Sequence, residues 1–326
     1  MISFEKSILR NNQFTSLCNE QQNCNSFLFE SSDNVFLENF AFCFAKFLMC
    51  KGEKQPCNTC IDCQKVSLLS HADVTIYPKS NKSILVEDVK DLIQNINLTP
   101  IEGDKKIFIF KNFSTANVQS QNKLLKILEE PPKNAYIILC VSNINKVLPT
   151  VLSRCKKYRL LPLTDDQMIE YLSATQIDSK NFKTILDFAG GSLEKALSFN
   201  DDSCFILAFD ACMDALINMK DSKTMLKYSV PFSKDRKIFE CALDIFEILF
   251  RDMLMIRFSK QNLVKNKNLI SQISALALSF DADAIDKIIK RLYFIKQQML
   301  FNCNYVFLVD NLLLYILEVK FLCNKK

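Results

Sequence analysis

The chain has 326 residues, of which 49% are hydrophobic and 24% charged, so it can form two or three globular domains with a large core. Its net charge of +5 is small for a dedicated nucleic-acid-binding domain. Only four glycines are present, and no two have the spacing of the phosphate loop G-x-x-x-x-G-K-[ST] or of G-x-G-x-x-G. His71 is the only histidine, so most Ser-His-Asp and Cys-His catalytic sites are excluded. We predict His71 to be a turn residue before a strand.

Nothing in the chain resembles a targeting or membrane segment. The N-terminal residues lack an apolar signal core, and the longest apolar runs are too short to span a bilayer or are interrupted by charges. We therefore predict a soluble, cytoplasmic protein with no membrane partner. Ten of the fourteen cysteines are dispersed and are expected to be small buried hydrophobic residues.

The first 160 residues have an α/β pattern. Helical patterns alternate with short apolar runs, which lie at 26–29, 74–77, 106–110 and 136–141. This alternation predicts a parallel sheet covered by helices on both faces. Pro131-Pro132 ends the last of these helices. Further along, the sequence predicts a turn, then Ser153-Arg154-Cys155, then a short strand.

Four cysteines are clustered in the pattern C-x6-C-x2-C-x2-C, namely Cys50, Cys57, Cys60 and Cys63. Zinc binds four thiolates in a tetrahedron, and each C-x2-C step lets one tight turn supply two of them. A redox dithiol, disulfides or coincidence are the alternatives, but a reducing compartment argues against disulfides. We interpret the cluster as a closed, structural Zn²⁺ site.

From Pro162 the pattern becomes helical. A capping box at Thr164–Gln167 opens a helix, and a second helix near 181–188 ends at Gly190-Gly191. Two later segments carry apolar stripes at helical spacing: Leu243, Phe246, Phe250, Met253 and Ile288, Leu292, Ile295, Met299. We predict three domains, an α/β domain at 1–161, a small helical domain at 162–203 and an all-helical domain at 204–326.

Four segments together carry a family resemblance. They are the cysteine knuckle followed by "SHADVTIYP", the segment "NKLLKILEEPPKNAYIILCVSN", the trio Ser153-Arg154-Cys155, and "AGGSLEKAL" at 189–197. In this order they resemble the bacterial clamp-loader family of AAA+ proteins, over the first two thirds of the chain. The resemblance implies an AAA+-like parallel sheet domain with a zinc knuckle at 50–63, a helical lid domain and a C-terminal helical collar for oligomerisation.

The chain departs from the ATP-hydrolysing gamma/tau members of this family where they bind nucleotide. Their phosphate loop is replaced by the residues 30–34, which include two carboxylates and neither glycine nor lysine. Their magnesium-binding Asp-Glu pair is replaced by Lys111-Asn112, and a phosphate-binding arginine by Glu194. We therefore expect a non-enzymatic chain that binds no nucleotide.

The resemblance also implies a role for Arg154, with Ser153 beside it. In clamp loaders the subunits form a ring-like pentamer, and the arginine of this trio reaches the ATP of the neighbouring subunit. Without the family context, Arg154 would be a surface arginine at the entrance of a strand. The implied partners are the gamma/tau and delta subunits in a hetero-pentamer, and, through that complex, the sliding clamp and primed DNA.

Two other functions remain open from sequence. One is an ATPase of the gamma/tau type with a degenerate site, which would bind nucleotide as an isolated chain. The other is a zinc-dependent nucleic-acid-binding module, which would bind DNA tightly and with strong salt dependence. The modest charge, the absence of Trp and the single knuckle argue against the second.

Overall fold

The computed structural model describes residues 8–9, 12–20, 24–79, 83–173, 182–201, 204–301 and 303–323. The chain divides into two compact units, Met1–Gln176 with Gly191–Glu194, and Ile177–Gly190 with Lys195–Lys326. The finer division into three domains stays a prediction. Within the described ranges, no helix is both long enough and apolar enough to cross a membrane.

The first unit is an α/β domain. Its strands are β1 (Ser26–Glu30), β2 (Val74–Tyr77), β3 (Lys106–Phe110), β4 (Ala135–Val141) and β5 (Lys156–Arg159). Its helices are α1 (Asn12–Glu20), α2 (Asn34–Met49), α3 (Ile61–Ser67), α4 (Val86–Asn95), α5 (Val118–Glu129), α6 (Pro149–Leu152) and α7 (Asp165–Ser173). The predicted strands are all present, with bounds that shift by one residue at most.

The described strands form one five-stranded sheet in the order β2-β3-β4-β1-β5. Every neighbouring pair is parallel, which confirms the predicted parallel sheet. Each residue of β3 and β4 is buried. Strands covered on both faces favour apolar side chains, which explains the largely apolar runs of the sequence. The exception is Lys106 in β3, whose buried ammonium group donates to the Asn95 carbonyl at 3.0 Å.

Strand β1 shows how the two faces are filled. Phe27 and Phe29 point to one face and make edge-to-face contacts with α2, with ring centroids 5.0 Å apart for Phe27–Phe44 and 5.1 Å for Phe29–Phe40. Leu28 points to the other face and joins the core that includes residues of α4 and α5. Because side chains alternate along a strand, one short run anchors both layers.

The capping box predicted before α7 is present. The backbone N–H of Gln167 donates to Thr164 Oγ1 at 3.4 Å, and the Thr164 N–H donates to Gln167 Oε1 at 3.0 Å. The N–H of Leu163 donates to the carbonyl of Gly191 at 3.0 Å. Gly191 has φ +84°, and a Cβ there would lie 2.5 Å from the Leu163 carbonyl oxygen, so this approach requires glycine.

The second unit is helical. Its helices are α8 (Phe182–Ala189), α9 (Leu193–Asp201, whose first two residues belong to the first unit), α10 (Cys204–Asn218), α11 (Ser222–Lys234), α12 (Arg236–Arg257), α13 (Ile270–Ala277), α14 (Ala282–Leu300) and α15 (Tyr305–Cys323). The two predicted apolar stripes lie on α12 and α14, which pack together, and all eight residues are at most 5% exposed. The outer surface carries large exposed aromatic side chains, with Tyr293 67% and Phe307 68% exposed.

Candidate functional site

The four clustered cysteines converge at the junction of α2 and α3. Cys50 is the C-cap residue of α2, and Cys60 is the N-cap residue of α3, with Cys63 in its first turn. Their four sulfur atoms all lie within 4.8 Å of one another. A tetrahedral zinc–thiolate site has sulfurs about 3.8 Å apart when each Zn–S bond is about 2.3 Å. The described residues therefore place four thiols where they can hold one metal ion.

Backbone N–H groups point at these sulfurs. The N–H groups of Gly52 and Cys57 each lie 3.3 Å from Cys50 Sγ, and the N–H of Cys60 lies 3.3 Å from Cys57 Sγ. Such donors stabilise negative charge on sulfur. A Cβ at Gly52 would lie 2.9 Å from Cys57 Cβ and 3.5 Å from Cys50 Sγ, so the loop closes over the cluster only with glycine there.

The cysteines differ in how readily they ionise. Hydrogen bonds from the side chain and the backbone of Thr59, together with the Cys60 N–H, lower the pKa of the Cys57 thiol to about 5. Burial raises the pKa values of Cys50 and Cys63 above the usual thiol value. A bound metal ion deprotonates its thiol ligands, so these residues fit a metal ion that supplies charge balance and a structural cross-link.

His71 lies beneath this knuckle and is only 4% exposed. It is in the turn before β2, as predicted, but its burial was not foreseen from the sequence. Its Nδ1 accepts the N–H of Asp73 at 3.1 Å, and its Nε2 faces the carboxylates of Asp62 and Glu102 at 3.5 and 3.9 Å. The imidazole thus lies between the knuckle and the loop before β3.

Asp73 holds that loop. Burial opposes ionisation of this carboxyl group, but the N–H groups of Ile101, Glu102 and Gly103 donate to it at 2.7–2.9 Å and keep its pKa below the usual value. A carboxylate with a lowered pKa contributes stability above its unfolded pKa of about 3.9, and the contribution disappears as the pH falls through the folded pKa.

We expect Asp73→Asn to lower the free energy of unfolding by about 2 kcal/mol at pH 7, because charge-assisted hydrogen bonds are lost. The difference from the unaltered chain should shrink as the pH falls below about 4. Urea titrations at several pH values measure it. Asp104→Asn, an exposed neighbour, is the matched control. A difference that does not change with pH would contradict this account.

The N-terminus of α2, which follows β1, is occupied by carboxylates of the chain itself. Asp33 caps the helix by accepting the Phe36 N–H at 2.9 Å. Its other carboxylate oxygen accepts the N–H groups of Leu193 and Glu194 at the start of α9. Asp33 is 5% exposed, so one buried carboxylate accepts hydrogen bonds from backbone N–H groups at the N-termini of two helices.

Glu194 completes this arrangement from the other side. Its Oε2 accepts the backbone N–H of Asn34 at 3.0 Å and the Asn34 side-chain amide at 3.2 Å. Helix N-termini bind anions because their free N–H groups and the helix dipole favour negative charge. Here the carboxylates of Asp33 and Glu194 take the positions that an anionic ligand would need.

A lysine side chain, that of Lys111, follows the end of β3. Lys111 forms an ion pair with Glu38 of α2 at 2.7 Å, and its Nζ lies 5.0 Å from the ring centroid of Phe42. Asn112 follows in the left-handed conformation, with φ 47°, and its side-chain oxygen accepts the Ser142 hydroxyl at 3.2 Å. An ammonium group paired with a carboxylate leaves no acidic pair here for a divalent cation.

Arg154 follows α6 on the surface of the same unit, with its side chain 30% exposed. Its Nε donates to Glu129 Oε1 at 2.7 Å, and its Nη2 pairs with the same oxygen. Its Nη1 donates to the Thr150 carbonyl at 2.8 Å and lies 3.3 Å from Ser153 Oγ. Arg154, Glu129, Lys133 and Ser26 line a cavity of about 440 Å³.

The predicted site residues thus form separate groups within the first unit. The cysteines make one cluster, Arg154 and Ser153 make another, and Asp33 and Glu194 meet at α2. Sequence reasoning did not predict the roles of Glu129 and Asp73. A carboxylate in the last turn of a helix, as in "LEEPP", is a signal that could have pointed to Glu129, because that end of a helix disfavours negative charge.

Comparison with known proteins gives relatives over most of the chain. A family model described as "DNA polymerase III, delta subunit" matches residues 9–164. The delta-prime subunit of DNA polymerase III from Bacillus subtilis is 23% identical over 298 residues, which is 90% of this chain and 91% of that protein. The tau subunit from Escherichia coli is 28% identical over 186 residues, which is 55% of this chain but only 29% of that protein.

A solved structure has the same fold. The gamma-subunit-related protein of DNA polymerase III from Thermotoga maritima aligns with a TM-score of 0.52 at 17% identity. The alignment covers 95% of this chain and 100% of the other. At this identity the likeness establishes the fold and not the chemistry of the site.

Proposed function

We propose that this chain, which resembles the delta-prime subunit of DNA polymerase III over 90% of its length, belongs to the clamp-loader family and is a non-catalytic stator of the clamp loader. It supports the ring and serves the ATP site of a neighbouring subunit instead of one of its own. The observation that carries this proposal is at α2, where Asp33 and Glu194 occupy the helix N-terminus with carboxylates. A triphosphate there would meet two negative charges.

The proposal assigns the neighbour's nucleotide to Arg154. A guanidinium is permanently charged and can bind two phosphate oxygens at once, which stabilises the charge of the transferring phosphoryl group. Arg154 is at the surface and next to a cavity, which supports a role outside its own chain. The chain then contributes to ATP hydrolysis without being an ATPase.

The metal ion of the knuckle is proposed to be Zn²⁺. Four thiolates with no open position are typical of a structural zinc site. The ion would be held by Cys50, Cys57, Cys60 and Cys63, and it would fix α3 to the end of α2.

We expect the isolated chain neither to bind nor to hydrolyse ATP at concentrations up to about 1 mM, because its own carboxylates and Lys111 occupy the places of phosphate and metal. Isothermal calorimetry with Mg-ATP measures this directly. Saturable binding in the micromolar range would contradict the proposal and favour a gamma/tau-type subunit with a degenerate site.

The proposed partners are gamma/tau and delta subunits in a hetero-pentamer, with the sliding clamp and primed DNA reached through it, in the cytoplasm. The helical unit has a surface suited to such contacts, since Tyr293, Phe294, Phe307 and Phe321 are each at least 50% exposed. Large exposed aromatic side chains are typical of protein interfaces.

Co-purification tests the proposal as a whole. The tagged chain should recover gamma/tau and delta subunits from cell extract, and the reconstituted mixture should load a clamp onto primed DNA only when the chain is present. Tight, salt-sensitive DNA binding by the isolated chain, without recovery of these subunits, would instead favour a nucleic-acid-binding module.

A further inference from the structure

Arg154 is held from one side by the carboxylate of Glu129. The role inferred here for Glu129 rests on the proposed function of Arg154. We propose that Glu129 is a positioning residue for Arg154. It fixes the guanidinium through its Nε edge and leaves the outer edge, formed by Nη1 and Nη2, for a phosphate of the neighbouring subunit. Glu129 itself touches no substrate.

The contacts within the described residues define the arrangement. Glu129 Oε1 accepts from both Nε, at 2.7 Å, and Nη2 of Arg154. On the opposite side, Nη1 donates to the Thr150 carbonyl at 2.8 Å. The side chain is thus held between the end of α5 and the turn of α6, so the plane of the guanidinium is fixed before any partner arrives.

The place of Glu129 in its helix supports a specific role. It is the last residue of α5, and the backbone N–H of Glu130 closes the helix on the Lys126 carbonyl at 3.3 Å. A carboxylate at a helix C-terminus is disfavoured, because it faces the negative end of the helix dipole. The Arg154 guanidinium offsets this cost, so the pair explains an acidic residue at the unfavourable end.

The donor inventory of Arg154 identifies the contact that must be released. A guanidinium has five N–H groups, and the described contacts involve Nε once, Nη1 twice and Nη2 once. Binding a phosphate through two parallel hydrogen bonds requires one N–H from each terminal nitrogen. The weakest contact is the one from Nη1 to Ser153 Oγ, which is neutral and 3.3 Å long. If Nη1 gives up its contact with Ser153, both Nη1 and Nη2 can donate to a phosphate while Glu129 stays bonded to Nε.

The experiment uses the reconstituted complex with Glu129→Ala and Glu129→Gln chains. Mispositioning of a catalytic group by about 1 Å can cost on the order of 100-fold at the affected site. We expect Glu129→Ala to reproduce most of the loss of ATPase kcat that Arg154→Ala causes. The kcat with Glu129→Gln should lie between those of Glu129→Ala and the unaltered complex. The KM for ATP should be unchanged in both. Glu130→Gln, which removes the same charge one residue later, is the matched control and should retain the full rate.

A double-mutant cycle separates positioning from a general effect on the fold. The chain with both Glu129→Ala and Arg154→Ala should be no slower than the chain with Arg154→Ala alone, because Glu129 acts only through Arg154. Folding of the single variant should be nearly unaffected, since exposed ion pairs contribute little to stability. In the isolated chain, labelling of Arg154 by phenylglyoxal should be faster in Glu129→Gln.

The outcomes separate this inference from the proposed function. If Arg154→Ala slows the complex but Glu129→Ala leaves the rate unchanged or raises it, the positioning role is wrong and the proposed function stands. If neither variant slows the complex, the proposed function fails and the inference fails with it. An additive loss in the double variant also overturns positioning, because Glu129 would then act independently of Arg154.

Discussion

Arg154→Ala should slow ATP hydrolysis by the assembled complex while leaving the isolated chain folded. Arginine residues that reach a transferring phosphoryl group are worth about 10³–10⁵-fold in single-site enzymes. We expect a smaller overall loss of about twofold to tenfold here, because in the proposed ring the other ATP sites would keep their own arginines. The measurement is the steady-state ATPase rate of the reconstituted complex, stimulated by clamp and primed DNA.

Two comparisons make this result interpretable. Arg159→Ala, on the exposed side of β5, removes the same charge from the same unit and should retain the full rate. Arg154→Lys should restore the rate only in part, because lysine keeps the charge but loses the planar pair of donors. An unaltered rate of hydrolysis and clamp loading with Arg154→Ala would show that Arg154 is only a surface residue.

Cys60→Ser should abolish metal binding, from one Zn²⁺ per chain to well below one equivalent. Cys60 supplies one thiolate and also caps α3, where its sulfur accepts the Cys63 N–H at 3.4 Å. Metal binding and local folding are linked, because the ligands come together only in the folded chain. We therefore expect residues 51–62 to become sensitive to limited proteolysis together with the loss of zinc, which metal analysis quantifies.

Cys303→Ser controls for the loss of a thiol, since Cys303 is exposed and far along the chain from the knuckle. That variant should retain its zinc and its resistance to proteolysis. Unaltered protein purified without chelator that carries substantially less than one zinc per chain would contradict the assignment, as would full zinc content in Cys60→Ser.

Much of the fold of both units could be predicted from sequence because its signals are local. Apart from Lys106, the runs of β3 and β4 have the apolar pattern that a doubly covered parallel strand requires. The stripes of α12 and α14 follow from helical periodicity in the same way, and the capping box before α7 uses residues three apart. In each case the physical cause lies within a few residues of the chain.

The rest of the site depends on contacts between distant residues. The family resemblance implies that Glu194 replaces an arginine, but not that its carboxylate accepts the N–H of Asn34, which is 160 positions away. The burial of His71 likewise was not predicted, and its Nε2 lies 3.9 Å from Glu102, a residue 31 positions away. No propensity or spacing encodes such pairs, so they become visible only in three dimensions.

The shared cap at Asp33 also constrains the order in which the chain can fold. The carboxylate accepts the N–H of Leu193, a residue 160 positions later, so this contact closes a very long loop. At a synthesis rate of about 5–20 residues per second, roughly 8–32 s pass between the emergence of the two partners from the ribosome. During that interval α2 and β1 can pack with the hydrophobic residues already made. The Asp33 oxygen that later accepts the Leu193 N–H can then form hydrogen bonds only with water. The long-range link is therefore expected to be among the last parts of the first unit to form, and it closes only when the polypeptide has passed the start of α9.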